Sequence, residues 1–135
     1  MPRSLEKVLY VDDEPMLCRV VKVALEKVGG LTVETAGSGA EALTAIPEFH
    51  PDLVLLDVMM PDIDGPETLR RIRHTVAGHF LPVVFITARA RKSELEYLGP
   101  FGPAGVITKP FEPLDLANRL QAIWAGLSDN PVADE

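Results

Sequence analysis

The sequence predicts a doubly wound α/β domain: a parallel sheet of five strands in the order 2-1-3-4-5, flanked by five helices. Three observations predict it. The runs Val8-Leu9-Tyr10-Val11, Leu53-Val54-Leu55-Leu56 and Val83-Val84-Phe85-Ile86 are continuously apolar rather than alternating, as in strands covered on both faces. Segments with apolar residues at helical spacing lie between and after them, and parallel neighbours need such crossovers. The unusual polar residues follow the strands directly, where an open α/β sheet binds its ligands.

Taken in order, the first strand ends at Val11. The helix after it carries Leu17, Val20, Val21, Ala24 and Val28 three and four residues apart and stops at Gly29-Gly30. Thr32 to Ala36 is a weaker strand, placed at the edge of the sheet. Ser38-Gly39-Ala40-Glu41 has the spacing of a capping box and opens a second helix towards Ile46. After the third strand Asp64 caps a helix with Leu69 and Ile72 turned inward and Arg70, Arg71 and Arg73 turned mostly to water. Ser93 to Leu98 is helical in character, and Gly99-Pro100-Phe101-Gly102-Pro103 breaks it. Val106 to Thr108 forms the fifth strand. The last helix starts near Pro113 and carries Leu116, Ala117, Leu120, Ile123, Trp124 and Leu127. One domain, 1–127, is expected, with residues 128–135 as a small, polar and acidic C-terminal tail.

The chain has 135 residues, 47% hydrophobic and 24% charged, enough to bury a core without disulfide or metal. Thirteen basic against twenty acidic residues leave a net charge of −7, which repels phosphate backbones and anionic membranes. Binding to nucleic acid or membrane by this chain alone is therefore not expected. The single Cys18 lies among apolar residues and is expected as a core thiol. His50, His74 and His79 lack metal-ligand spacing and are expected at the surface. No apolar segment stands behind a basic start in residues 1–11, and no run approaches the ~20 apolar residues of a membrane span, so a cytoplasmic location is expected.

Asp12 and Asp13 follow strand 1, Asp57 ends strand 3, Thr87 ends strand 4 and Lys109 follows strand 5. Each alone has an ordinary reading: a helix cap, a β-former at a strand end, a solvated loop lysine. Asp57 differs, because a carboxylate at the end of Leu53-Val54-Leu55-Leu56 is expected to be partly buried, where an unpaired charge is costly. Convergence of all five on one sheet edge points to a single site. Clustered carboxylates repel one another unless a cation joins them, and oxygen-only ligands suit Mg²⁺. A lysine and a threonine opposite the metal can hold the oxygens of a phosphoryl group. Asp57 is then either a metal ligand only or a nucleophile that accepts the phosphoryl group.

Val11-Asp12-Asp13-Glu14, the run Leu56-Asp57-Val58-Met59-Met60-Pro61-Asp62-Ile63-Asp64-Gly65, Thr87-Ala88 and Lys109-Pro110-Phe111 resemble the motifs of response regulator receiver domains, whose fold is flavodoxin-like. The resemblance runs from about Lys7 to Leu127. It implies two-component or phosphorelay signalling, with Asp57 accepting a phosphoryl group from a phosphohistidine on a sensor histidine kinase or histidine phosphotransfer protein. It also implies Mg²⁺ held by Asp13, Asp57 and the backbone carbonyl of Met59, with Asp12 helping through water. Thr87 and Lys109 would contact the phosphoryl oxygens, and the Lys109–Pro110 bond would be cis. Such a domain is no enzyme beyond catalysing its own phosphorylation and slow dephosphorylation. Its output is a contact with a downstream protein or a second copy of itself, either as a single-domain regulator or as the N-terminal receiver of a longer one.

Two departures stand out. Val106 occupies the place where the family usually has Tyr or Phe, and Gly99 to Gly105 carries two prolines where the family has a Gly-Ala-rich helix end. Both fall on the face many relatives use for output or dimerisation. A phosphatase of the haloacid dehalogenase type also uses an aspartyl phosphate and Mg²⁺. It needs a second Asp two residues after the nucleophile, where this chain has Met59. A flavodoxin-like cofactor carrier needs a phosphate loop after strand 1, and Asp12-Asp13-Glu14 would repel that phosphate.

Overall fold

The computed structural model describes residues 3–128. Strands and helices alternate: β1 (Lys7–Val11), α1 (Pro15–Lys27), β2 (Thr32–Ala36), α2 (Gly39–Phe49), β3 (Leu53–Asp57), α3 (Gly65–Arg73), β4 (Val83–Thr87), α4 (Lys92–Leu98), β5 (Gly105–Thr108) and α5 (Pro113–Ser128). A short 3-10 turn, Gly99–Phe101, follows α4. The five strands are parallel and ordered β2-β1-β3-β4-β5, as expected.

The apolar runs are buried on both faces because successive side chains point to opposite sides. Val8, Tyr10, Leu53, Leu55, Val84, Ile86 and Ile107 pack with Cys18, Val21 and Leu25 of α1 and Leu116 and Leu120 of α5. Leu9, Val11, Val54, Leu56, Val83 and Phe85 pack on the other face with Ala42 and Ile46 of α2 and Leu69 and Ile72 of α3. Edge strand β2 buries only Val33 and Ala36.

The caps act as the sequence suggests. Ser38 accepts a hydrogen bond from the Glu41 amide at 3.1 Å, and Asp64 accepts one from the Glu67 amide at 2.9 Å. Glu41 returns its carboxylate to the amide of Gly37 rather than to Ser38. Some expectations need correction. In α1 the buried stripe is Cys18, Val21, Ala24 and Leu25, whereas Val20 and Val28 are 42% and 55% exposed. The periodicity there fits two adjacent stripes, and only packing against β1 and α5 selects one. Arg73 is not a simple surface residue: its guanidinium donates to the carbonyls of Gly78 and Leu81 at 3.0 and 2.6 Å, tying down the segment before β4. Helix α5 runs through Ser128, one residue past the expected boundary, and the rest of the expected tail, 129–135, lies outside the described residues.

Strand β1 is held in register at its start by Asp52, whose carboxylate accepts the amides of Glu6 and Lys7 and pairs with Arg3. Burial alone would raise the Asp52 carboxyl, but these donors hold it below the usual carboxylate range. The Trp124 indole of α5 donates to the Arg3 carbonyl at 2.8 Å. Among the described residues no helix is long and apolar enough to cross a membrane.

Candidate functional site

The site is assembled where the strands end. Main-chain bonds continue the ladder past the last strand residues: Asp12 to Ala36 at 3.1 Å, Val58 to Ile86 at 2.9 Å, and Lys109 to Thr87 at 2.7 Å. They fix the direction in which the side chains at those positions leave the sheet. Beside them Gly65 brings the start of α3 against the end of β3; a Cβ there would lie 2.6 Å from the Asp57 carbonyl oxygen. The peptide bond Lys109–Pro110 is cis.

Carboxylate oxygens of Asp12, Asp13 and Asp57 lie within 4.8 Å of one another. Asp12 is fully buried and Asp57 is 4% exposed, while Asp13 stands exposed at the mouth. Three hard oxygen donors at this separation fit a small divalent cation such as Mg²⁺ and offer nothing to a softer metal. Lys109 supplies a compensating charge. Its ammonium lies 2.9 Å from Asp12 Oδ2, 3.3 Å from Asp57 Oδ2 and 4.0 Å from Glu14 Oε1.

Burial pushes the Asp57 carboxyl up from 3.8 to about 6, and the charge of Asp12 adds to this; Lys109 and the Met59 amide oppose the rise without cancelling it. Burial works against the Lys109 ammonium, yet Asp12 and Asp57 hold it above an ordinary lysine. The carboxylates thus keep the lysine charged, while burial and Asp12 make Asp57 reluctant to ionise.

Of the residues singled out from the sequence, Asp12, Asp13, Asp57 and Lys109 come together directly. Thr87 ends β4 beside them and is 2% exposed, but its hydroxyl serves the Arg89 main chain, accepting from the amide at 3.1 Å and donating to the carbonyl at 3.2 Å. The amide of Met59 reaches the Asp57 carboxylate, while its side chain is 68% exposed at the mouth. Arg89 is exposed as well. His50, His74 and His79 are all exposed, and none belongs to a cluster of metal-ligating groups among the described residues.

Sequence reasoning missed two buried neighbours of Asp12. The Tyr10 hydroxyl donates to Asp12 Oδ2 at 2.8 Å, and the Cys18 thiol donates to the Asp12 carbonyl at 3.3 Å. A signal for Tyr10 exists: it precedes Asp12 by two on a strand, so both side chains share a face. Burial, then Asp12, pushes Tyr10 far above an ordinary phenol and Cys18 up to about 11, so both stay protonated donors.

On the α4 side, Tyr97 and Phe101 stack edge to face with ring centroids 5.6 Å apart, and Phe101 and Val106 are half-buried against the same core. Sequence pattern assigns Phe101 only to the break in a helix; packing makes it part of the wall beside β5.

The family model of the response regulator receiver domain matches residues 8–121. The chain is 39% identical over 117 residues to the transcriptional regulatory protein TrcR of Mycobacterium tuberculosis, covering 87% of this chain and 44% of that protein. It is 33% identical over 132 residues to the DNA-binding response regulator MtrA of Mycolicibacterium smegmatis, covering 98% of this chain and 56% of that protein. It thus spans about half the length of these curated relatives. Among solved structures, the chemotaxis protein CheY4 of Vibrio cholerae superposes with a TM-score of 0.82 at 31% identity, covering 89% of this chain and 99% of that one. A response regulator from Chloroflexus aurantiacus gives 0.79 at 32% identity, covering 91% and 99%.

Proposed function

The chain belongs to the response regulator receiver family, a signalling domain of two-component systems, and from that premise we propose that Asp57 is its phosphoacceptor. The observation that carries the proposal is the Asp57 carboxylate: nearly buried, within 4.8 Å of Asp12 and Asp13, and paired with Lys109. A sensor histidine kinase or histidine phosphotransfer protein presents a phosphohistidine at the mouth. An Asp57 carboxylate oxygen attacks phosphorus, an O–P bond forms, the P–N bond breaks, and its electron pair returns to the imidazole nitrogen. Lys109 then turns from the carboxylates to a phosphoryl oxygen, and Thr87 exchanges its contact with Arg89 for one with another phosphoryl oxygen. Mg²⁺ held by Asp13, Asp57 and the Met59 carbonyl, with Asp12 acting through water, would offset the charge on the oxygens that meet there.

The donor must approach from the mouth, so the groups exposed around it form the docking surface. Met16, Val20 and Val23 make an exposed apolar stripe at helical spacing on α1, and Met59 and Leu114 are exposed as well. An exposed apolar stripe along one face of a helix suits a helical partner. TrcR and MtrA are named as a transcriptional regulator and a DNA-binding response regulator. An output on DNA would come through sequence beyond the part shared with them, since the net charge of −7 suits a protein contact, downstream target or second copy, better than a phosphate backbone. Both the domain, 1–127, and its kinase partner act in the cytoplasm in this proposal.

The test is intact-mass measurement after incubation with Mg²⁺ and acetyl phosphate. A single phosphoryl adduct is expected, lost with EDTA and absent from Asp57→Asn. An adduct that survives Asp57→Asn would overturn the assignment.

A further inference from the structure

Asp12 is fully buried, so its carboxylate needs donors, and among the described residues three reach it. Oδ1 takes the Glu14 amide at 3.0 Å; Oδ2 takes both the Tyr10 hydroxyl at 2.8 Å and the Lys109 ammonium at 2.9 Å. The three are not equivalent. The Glu14 amide is fixed by the chain at the start of α1, and it serves only the other oxygen. Lys109 is shared, lying 3.3 Å from Asp57 Oδ2, and is on a long side chain able to move. Tyr10 is the rigid donor to Oδ2. Its side chain is 0% exposed and packed between Cys18 and the apolar residues of β1 and β3, and its hydroxyl donates to Asp12 alone.

A buried carboxylate oxygen left without a donor is costly. When Lys109 serves an oxygen on a phosphoryl group at Asp57, Tyr10 is the protein donor that stays on Asp12 Oδ2. Without the phenol, that oxygen would hold Lys109 back. We propose that Tyr10 is a positioning residue of the phosphoryl site, a stationary hydrogen-bond donor to Asp12 that releases Lys109 for the phosphoryl group. The proposal rests on Asp57 being the phosphoacceptor and adds a residue two positions upstream of the acidic pair, in the strand itself.

The test compares the protein with its Tyr10→Phe variant, which keeps the ring and removes one oxygen. Beryllofluoride affinity at saturating Mg²⁺, and Mg²⁺ affinity alone, are measured by calorimetry well below the unfolding transition. Beryllofluoride is expected to bind about tenfold more weakly to the variant, with Mg²⁺ affinity within about twofold. A merely structural role for Tyr10 would lower the urea midpoint and leave beryllofluoride affinity unchanged, and that result overturns the proposal. A measurement on the unsubstituted protein stands independently of the variant's folding: the Tyr10 hydroxyl proton, shielded from solvent, should stay visible by NMR in the free and beryllofluoride-bound states. Its loss on binding would overturn the proposal too. Failure of the unsubstituted protein to bind beryllofluoride at all would overturn the phosphoacceptor assignment itself, whereas equal binding by the two proteins removes only the role of Tyr10.

Discussion

The charge on Asp57 is bought with stability, which makes Asp57→Asn a stabilising substitution under defined conditions. Folding raises the Asp57 carboxyl from 3.8 to about 6, by burial first and by Asp12 second. The folded state therefore holds this proton more tightly than the unfolded chain. The favourable contribution is fully present below the unfolded value, near pH 4, and is lost as pH rises through about 6. Each tenfold change in proton affinity is about 1.4 kcal/mol, so the ionised carboxylate at pH 8 costs the fold on the order of 3 kcal/mol. Asn removes that charge while its carbonyl can still accept from Lys109. In EDTA at pH 8 the variant should be more stable by about 2–3 kcal/mol, or roughly 10 °C in Tm. The gain should shrink at pH 6 and vanish near pH 4. Saturating Mg²⁺ should narrow it again, because a ligand at 100 times its Kd stabilises the unsubstituted protein by about 2.7 kcal/mol. Urea unfolding followed by circular dichroism across this pH range is the assay. Equal midpoints at pH 8, or a gain as large at pH 4 as at pH 8, would refute the claim that desolvated charge on Asp57 strains the fold.

Two further outcomes are expected. The thioether of Met59 and the guanidinium of Arg89, both exposed, offer an attacking water no oriented base, so the phosphorylated form should be long-lived. Replacing Met59 by Asn and Arg89 by Glu should speed phosphate loss about tenfold or more, equivalent to about 1.4 kcal/mol of barrier, read as decay of the phosphorylated mass after donor removal; an unchanged rate would place control of water elsewhere. Thr87 can reach a phosphoryl group only by giving up its contacts with Arg89, so beryllofluoride should shift NMR signals from residue 88 to residue 106, including Phe101; silence there with a responding site would exclude this route.

Much of this protein is written in local pattern. Continuous apolar runs, caps at Ser38 and Asp64 and polar residues directly after the strands depend on neighbours in sequence, so the alternation of elements and the site's membership are legible from them. The same logic reaches its limit at α1, where Val20 and Val28 fit the helical spacing as well as Leu25 does. Which stripe is buried depends on where β1 and α5 lie, and no local pattern encodes that.

What tertiary structure alone decided is the pairing of the site's groups. That Lys109 bridges Asp12 and Asp57, that Thr87 rests on Arg89, and that Tyr10 is tied to Asp12 are consequences of strand register and of the depth at which each strand ends. Sequence could name the carboxylates and the lysine because each chemistry needs a particular side chain. It could not set their burial or their mutual distances, and Coulomb energy and desolvation depend on those alone. The rise of the Asp57 carboxyl to about 6 is therefore a property of the fold rather than of the motif around it.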